Sequence, residues 1–300
     1  VKVFVTGATG VLGSSALRAL LADGHHVAGL AHGADRTSVL EAAGVTPFVV
    51  DLFDGAALTE AMRGFDAVCN LVTHIPVGLA GMRLGSWRAN DRLRTEGSRL
   101  VEVAAESAGV RRIVQESTSF LYADGGDTWI TETSPLTVTR ALEPAAVAEA
   151  NAMRFTSSTR EAVVLRFGNM LGDDAMTKWL LDRARSGRPI GFGDPDNWAH
   201  LVHPEDAGAA VAAALHAPAG VYNVGADPIQ RREMLSVIGE IVDRPQVGFI
   251  PRIVLRMAGE RLEPQTRSHR ISSVKLHEVT GWKPSHPVFD VQWVKTASTR

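Results

Sequence analysis

A doubly wound α/β fold built on a parallel sheet is what this 300-residue sequence predicts. Three observations predict it. The stretch Val1 to Leu21 runs from a strand through a glycine turn into a helix. Short strand-like and helix-like stretches then alternate as far as about residue 167. Small or polar residues follow most of the strands, where sheets of this kind hold their ligands.

The first strand is read from Val1, Val3 and Val5, which alternate as β-formers and end at Thr6. Gly7-Ala8-Thr9-Gly10-Val11-Leu12-Gly13 then turns the chain, and Ser14 to Leu21 reads as a helix. Gly7 can take a positive φ, Gly10 lets phosphates come close to the backbone, and Gly13 lets the helix pack near the strand. The free N–H groups of the helix start then face an anion. Gly7, Thr9, Gly10, Val11, Leu12 and Gly13 are therefore candidate dinucleotide contacts. Three glycines at this spacing are a weak signal alone; their place straight after a strand is what points to a dinucleotide rather than to an ordinary turn.

Asp23-Gly24 stops the first helix, and Val27 to Leu30 reads as the second strand. Leu40 to Ala43 is helical up to Gly44, and Pro47 to Val50 is a third strand closing on Asp51. Ala57 to Met62 is a helix, Ala67 to Val72 a strand, and Trp87 to Ala108 a long helix before Gly109. Arg112 to Gln115 is a strand running into Ser117-Thr118-Ser119, Ala145 to Ser157 a helix, and Ala162 to Arg166 a strand. With right-handed crossovers this rhythm gives a parallel sheet. From about Gly168 it loosens, in loops carrying Gly172, Gly187, Pro189, Gly191, Gly193 and Pro195, where a substrate-shaping lobe is expected. Pro204 suits the first turn of a helix reaching Leu215, Val221 to Val224 is a short strand, and Arg232 to Val242 is amphipathic. The expected division is 1–167 for dinucleotide binding and 168–300 mainly for substrate, with segments near 200–224 returning to the first core.

Composition excludes several functions. Lys and Arg total 31 against 33 Asp and Glu, so no basic field would recruit nucleic acid or an anionic membrane. Cys69 is the single cysteine, which rules out an intrachain disulfide or a multi-cysteine zinc site and fits a reducing cytoplasm. The chain opens on a strand, and its most alanine-rich run, Ala207 to Ala214, is too short to span a bilayer, so neither export nor membrane insertion is expected. The partner is a small molecule.

Residues after each strand are cofactor candidates by position. The second strand has no acid at its end, where an NAD site would hold the ribose hydroxyls, and offers His32 and Arg36 instead. Those cations suit a 2′-phosphate, so NADP is expected ahead of NAD, with a solvated polar loop as the other reading. Asp51 and Leu52 are placed to touch the adenine edge, and Leu71, Val72 and Thr73 to flank the adenosine and pyrophosphate.

With these pieces in place the chain resembles an extended or atypical short-chain dehydrogenase/reductase of the NAD-dependent epimerase/dehydratase type, over nearly its whole length. The matching pieces are Thr6 to Gly13, Asp51-Leu52, Asn90 with Glu96-Gly97, Gly109 to Val114, Ser117-Thr118 with Tyr122, Leu165 to Asn169 with Gly172, His203 to Asp206, Tyr222 to Val224, and Gly281 to Pro284. The resemblance implies a Rossmann-type fold, a role for Asn90 near the cofactor, and a homodimer through the Trp87 and Ala145 helices. It also implies hydride transfer assisted by a tyrosine, a lysine four residues later, and a Ser or Thr hydroxyl.

Thr118, four residues before Tyr122, matches the hydroxyl. The tyrosine and lysine are missing: Val138 to Phe155 contains neither, and the chain's only tyrosines are Tyr122 and Tyr222. Aligning Glu149 with the family's glutamate puts Ala141 and Ala145 at the two places. Three readings follow. The proton chemistry is moved to another group, with Glu143 the first choice, Tyr122 a further candidate, and Arg140, Glu149, His74, Trp129 and His200 nearby in sequence or on neighbouring loops. The site performs a non-redox elimination, isomerisation or cyclisation. Or the chain is a dinucleotide-responsive binder without turnover.

Other constellations are weaker. His200-x-x-His203 with Glu205 and Asp206 has metal-like residues, but Pro204 starts a helix after His203 and separates the two rings, so no metal is expected. Ser117 to Ser119 lack the glycine elbow of a serine nucleophile. Arg166, Arg256, Arg261, Arg267 and Arg270 offer cations to an anionic substrate, against a surface reading for most. Trp179, Phe192, Trp198, Phe249 and Met257 supply apolar material, either as core or as a pocket for an aromatic or polyketide-like substrate rather than a nucleotide sugar.

Overall fold

The computed structural model describes residues 1–83 and 85–295. In chain order, β1 (Lys2–Thr6), α1 (Val11–Ala22), β2 (His26–Ala31), α2 (Ala34–Ala42), β3 (Thr46–Val49), α3 (Gly55–Met62) and β4 (Ala67–Asn70) form the first half of the sheet and its helices. After them come α4 (Arg88–Arg92), α5 (Ser98–Ser107), β5 (Arg112–Thr118), α6 (Glu143–Arg154) and β6 (Glu161–Phe167). The remainder is β7 (Asn169–Met170), α7 (Ala175–Arg185), β8 (Trp198–Ala199), β9 (Leu201–Val202), α8 (Pro204–Ala214), β10 (Gly220–Val224), β11 (Ile229–Gln230), α9 (Arg231–Ile241), α10 (Arg252–Ala258), α11 (Val274–Thr280) and α12 (Val291–Lys295).

Seven parallel strands lie in the order β10-β6-β5-β4-β1-β2-β3. The order reverses between β1 and β4, which is where a doubly wound sheet opens a crevice at its carboxyl edge. The strands are apolar on both faces because helices cover both. Val3 and Val5 point toward α1 and α8, while Phe4 points the other way, into the layer of α3, α5 and α6. Each such side chain fully buried contributes roughly 1.5–3 kcal/mol relative to exposure. A third apolar cluster, with Leu181, Ile190, Leu201, Ile238 and Trp293, packs together segments that follow β6.

Edge strands close the sheet on both sides. β3 carries Pro47 opposite Gly29 of β2. On β10, the Val221 carbonyl accepts from Lys275 Nζ (2.8 Å), and the Asn223 N–H donates to Glu132 Oε1 (2.9 Å).

The expected long helix from Trp87 is interrupted. Leu93–Gly97 forms a π turn between α4 and α5. The Thr95 hydroxyl donates to the Asp91 carbonyl and that of Ser98 to the Arg94 carbonyl, drawing carbonyls away from the helical ladder. Gly97 sits where a Cβ would meet Leu52 at 2.9 Å, so the widened turn is pressed against the sheet layer. Other boundaries move by a few residues, as helix and strand ends do when tertiary contacts extend them. β5 runs on to Thr118, α2 begins at Ala34, and α6 begins at Glu143.

Candidate functional site

The turn after β1 has the geometry of an anion cradle. Gly7 has φ of +67°, and a Cβ there would lie 2.6 Å from the Val72 Cα. At Gly13 a Cβ would stand 2.0 Å from the Gly7 carbonyl oxygen. Neither position has room for a side chain. Gly10 differs: a Cβ there would meet only the Gly7 oxygen, at 3.3 Å, so this glycine faces open space. It is also the N-cap of α1 and supplies no side-chain hydrogen bond to the helix start. The first amides of α1 are thus left for an external acceptor, and Val11 is exposed beside them.

Around this turn the strand ends bring together the other cofactor candidates. Leu71 and Val72 follow β4 against Gly7, with Thr73 half-buried next to them. Asn90, buried in α4, accepts from the His74 N–H (3.2 Å) and so ties α4 to the segment after β4. His32 and Arg36 are both exposed beyond β2, with Arg36 in the first turn of α2. Asp51 is exposed at the end of β3 and its Oδ1 accepts from the Phe53 N–H. Leu52 is part of the core under Gly97.

Thr118 ends β5, with its Oγ1 accepting from the Phe120 N–H (3.3 Å). The three residues before it are each held by a buried polar partner. Gln115 accepts from Asn70, which itself accepts from the Thr6 hydroxyl. Glu116 accepts from Arg94 (2.6 Å), and burial pushes its carboxyl pKa up despite that cation. The Ser117 hydroxyl donates to Glu149 Oε1 (2.5 Å), and Arg166 binds the same carboxylate through Nε (2.8 Å) and Nη2 (2.7 Å). Burial works against the Arg166 charge, but this bidentate pairing outweighs it and raises the guanidinium pKa.

Tyr122 is fully buried in that framework. Its hydroxyl donates to Asn223 Oδ1 (2.7 Å), and the Arg166 guanidinium lies 4.9 Å from its ring centre. Burial raises the phenol pKa, the opposite of what a proton relay at neutral pH needs. Its surroundings are those of a packed strut between β5 and β10. Ala145 is buried, and Ala141 is exposed. Glu143 is the first residue of α6 and is exposed.

His200 and His203 stand out in the sequence, whereas no motif marks His269 or His286. His200 is buried, with Nδ1 3.0 Å from the Ser119 hydroxyl and Nε2 unpartnered. Burial pushes its pKa down to about 3, and that of His269 to about 4. His203 caps α8 by accepting from the Glu205 N–H. His203, Asp206 and His286 lie close enough to suggest a metal group. However, the two imidazoles are stacked at 3.8 Å, so their lone pairs do not converge, and Asp206 already accepts from the Ser285 N–H and hydroxyl and the His286 N–H.

Of the arginines, Arg267 donates to the Phe120, Tyr122 and Thr137 carbonyls and pairs with Glu263. Arg256 is exposed, and the side chain of Arg261 lies outside the described residues. Trp179 packs against Gly78 of the loop after β4, and Met257 is exposed on α10.

The sheet order and the open glycine turn define a dinucleotide-binding α/β protein. The model of the NAD dependent epimerase/dehydratase family matches residues 3–225, and the chain belongs to that family. It is 32% identical over 304 residues to a 3-diazoavenalumate denitrifying reductase of Streptomyces sp., covering 95% of this chain and 97% of the relative. It is 27% identical over 269 residues to a 2-alkyl-3-oxoalkanoate reductase of Stenotrophomonas maltophilia, covering 82% and 77%. The solved structure of human epimerase family protein SDR39U1 (isoform 2) with NADPH has the same fold, with a TM-score of 0.81 at 20% identity over the full length of both chains. Among the described residues, no helix is long and apolar enough to cross a membrane.

Proposed function

We propose that this chain is an NADP-dependent reductase of a small, largely apolar carboxylate, held by the C-terminal lobe against Thr118. The observation that carries the reading is the turn from Gly7 to Gly13, which fits a pyrophosphate: two glycines without room for a side chain, a third facing open space, and unpaired amides at the start of α1. His32 and Arg36, exposed beyond β2, favour a 2′-phosphate there. The bound dinucleotide would supply hydride. The two relatives are both named reductases, and both are named for carboxylates. Apolar side chains left exposed on the loops beyond β4 and β5, among them Ile75, Val77, Leu79 and Leu136, suit an aromatic or polyketide-like body better than a sugar.

Thr118 would position the acceptor by a hydrogen bond from its hydroxyl. Glu143, at the head of α6, is the proposed group for proton exchange, while Tyr122 supports the site from below. The single cysteine, fully buried, fits work in a reducing cytoplasm. A second copy would pack on α5 and α6, where Val103 and Met153 stay exposed.

The test is turnover with NADPH and with NADH, followed by the absorbance of the reduced nicotinamide, using 2-alkyl-3-oxoalkanoates and diazo-substituted aromatic acids as acceptors. Loss of absorbance with NADPH at lower KM than with NADH is expected, and Glu143→Gln should lower kcat roughly 10²-fold or more while leaving dinucleotide affinity intact. Product formed with no absorbance change would overturn the reductase reading. Unaltered kcat in Glu143→Gln would remove Glu143 from the chemistry.

A further inference from the structure

One cation of the C-terminal lobe is built in without a counter-ion. Arg270 lies on the segment that runs beside Ile130: the Ile130 N–H donates to the Arg270 carbonyl, and the Ser272 N–H donates to that of Ile130. Its guanidinium carbon stands 4.6 Å from the ring centre of Trp129 and 4.6 Å from that of Trp198. Nη1 donates to the Asp127 carbonyl (3.1 Å), and Nε is sealed from solvent with no hydrogen-bond partner. Among the described residues no carboxylate pairs with it. The carboxylate of Asp127, whose carbonyl accepts from Nη1, has its Oδ1 turned to the indole N–H of Trp198 (2.9 Å).

The stack is built from segments that also reach the residues beside Thr118, where the proposed substrate is held: the His269 ring, next to Arg270 in the chain, lies 6.0 Å from that of Phe120. Trp129 is on the loop that leaves the carboxyl end of β5 and is half exposed. Trp198 stands two residues before His200, whose ring meets Ser119 beside Thr118. Two indoles hold the guanidinium in place without neutralising it, since ring quadrupoles attract a cation but accept no proton and carry no net charge. A planar guanidinium fixed in this way presents its remaining edge to a carboxylate, which can take two charge-assisted hydrogen bonds with little further loss of side-chain freedom.

We propose that Arg270, clamped between Trp129 and Trp198, anchors the carboxylate of the substrate and makes the site selective for acids over their neutral analogues. This rests on the reductase reading for the identity of the substrate, and adds where its charge is met.

The experiment measures binding, apart from turnover. Calorimetric titration of the full chain with cinnamate and with cinnamamide, in the presence of NADP⁺, should show the acid bound about tenfold or more tighter than the amide. Arg270→Gln should abolish that difference while leaving cinnamamide and NADP⁺ affinities unchanged, which also shows that the variant is folded. Arg270→Lys should restore only part of it, because an ammonium lacks the planar fork. Trp129→Leu, which leaves the charge in place, should weaken cinnamate several-fold through loss of one covering face. Equal affinity for acid and amide in the wild type, or full discrimination retained in Arg270→Gln, overturns the anchor. A failure of NADPH oxidation with every acceptor would overturn the reductase reading alone, since discrimination in binding is read without turnover.

Discussion

Glu149 holds three strands' worth of side chains from one position. It accepts from Ser117 of β5 and twice from Arg166 of β6, and Arg166 in turn lies over Tyr122, whose hydroxyl reaches Asn223 of β10. Removing one partner of a buried ion pair strands the other charge, at a cost of about 3–5 kcal/mol. Glu149→Gln is therefore expected to lower the unfolding free energy by about that amount, and Ser117→Ala by only ~1 kcal/mol. Urea unfolding of the two variants checks the order; equal losses would mean that the carboxylate matters only as a partner for Ser117. The motif positions of Thr118 and Glu149 were legible in the sequence, as was the lack of tyrosine and lysine between Val138 and Phe155. What Tyr122 does was not, because a phenol's role depends on who takes its proton, and Asn223 is 101 residues away in the chain. The Arg270 stack was hidden for the same reason: its two indoles, one on the loop after β5 and one on β8, are far apart in sequence.

At the scale of elements, α1 and α8 pack so closely that backbone meets backbone. A Cβ on Gly208 would lie 2.4 Å from the Ser15 carbonyl carbon, and neither helix can yield locally. Gly208→Ala should destabilise the fold by about 1–3 kcal/mol and, by shifting the α1 turn, weaken dinucleotide binding. Thermal unfolding with and without NADP⁺ measures both; a variant that binds and unfolds as the wild type would show that the helices have slack. The strands of the main sheet could be read because apolar β-formers bounded by glycine or acid leave few alternatives. Two-residue strands such as β7 and β9 could not, since they pair only where the lobe brings Asn169 beside Leu201. The π turn at Leu93–Gly97 escaped for a related reason: hydroxyls bonded to their own helix and a glycine pressed on Leu52 are consistent with a regular helix until the packing is known.

For the molecule as a whole, the buried histidines set an acid limit. Burial holds His200 and His269 down to about 3 and about 4, against 6.5 for the free side chain. Between those values and 6.5 the unfolded chain binds protons that the native one refuses. Stability is therefore full above that range and falls as pH drops through it, by up to ~1.4 kcal/mol per pH unit for each histidine. The thermal midpoint should decline between pH 7 and pH 5, and decline less in His200→Gln; parallel declines would assign the effect to other groups. Sheet edges have a consequence of another sort. Pro47 leaves β3 without one backbone donor, while Lys275 and Glu132 occupy the Val221 carbonyl and the Asn223 amide on β10. A stray strand offered to either border finds at least one hydrogen-bonding position missing or already taken, which disfavours growth into fibrils or strand-swapped pairs.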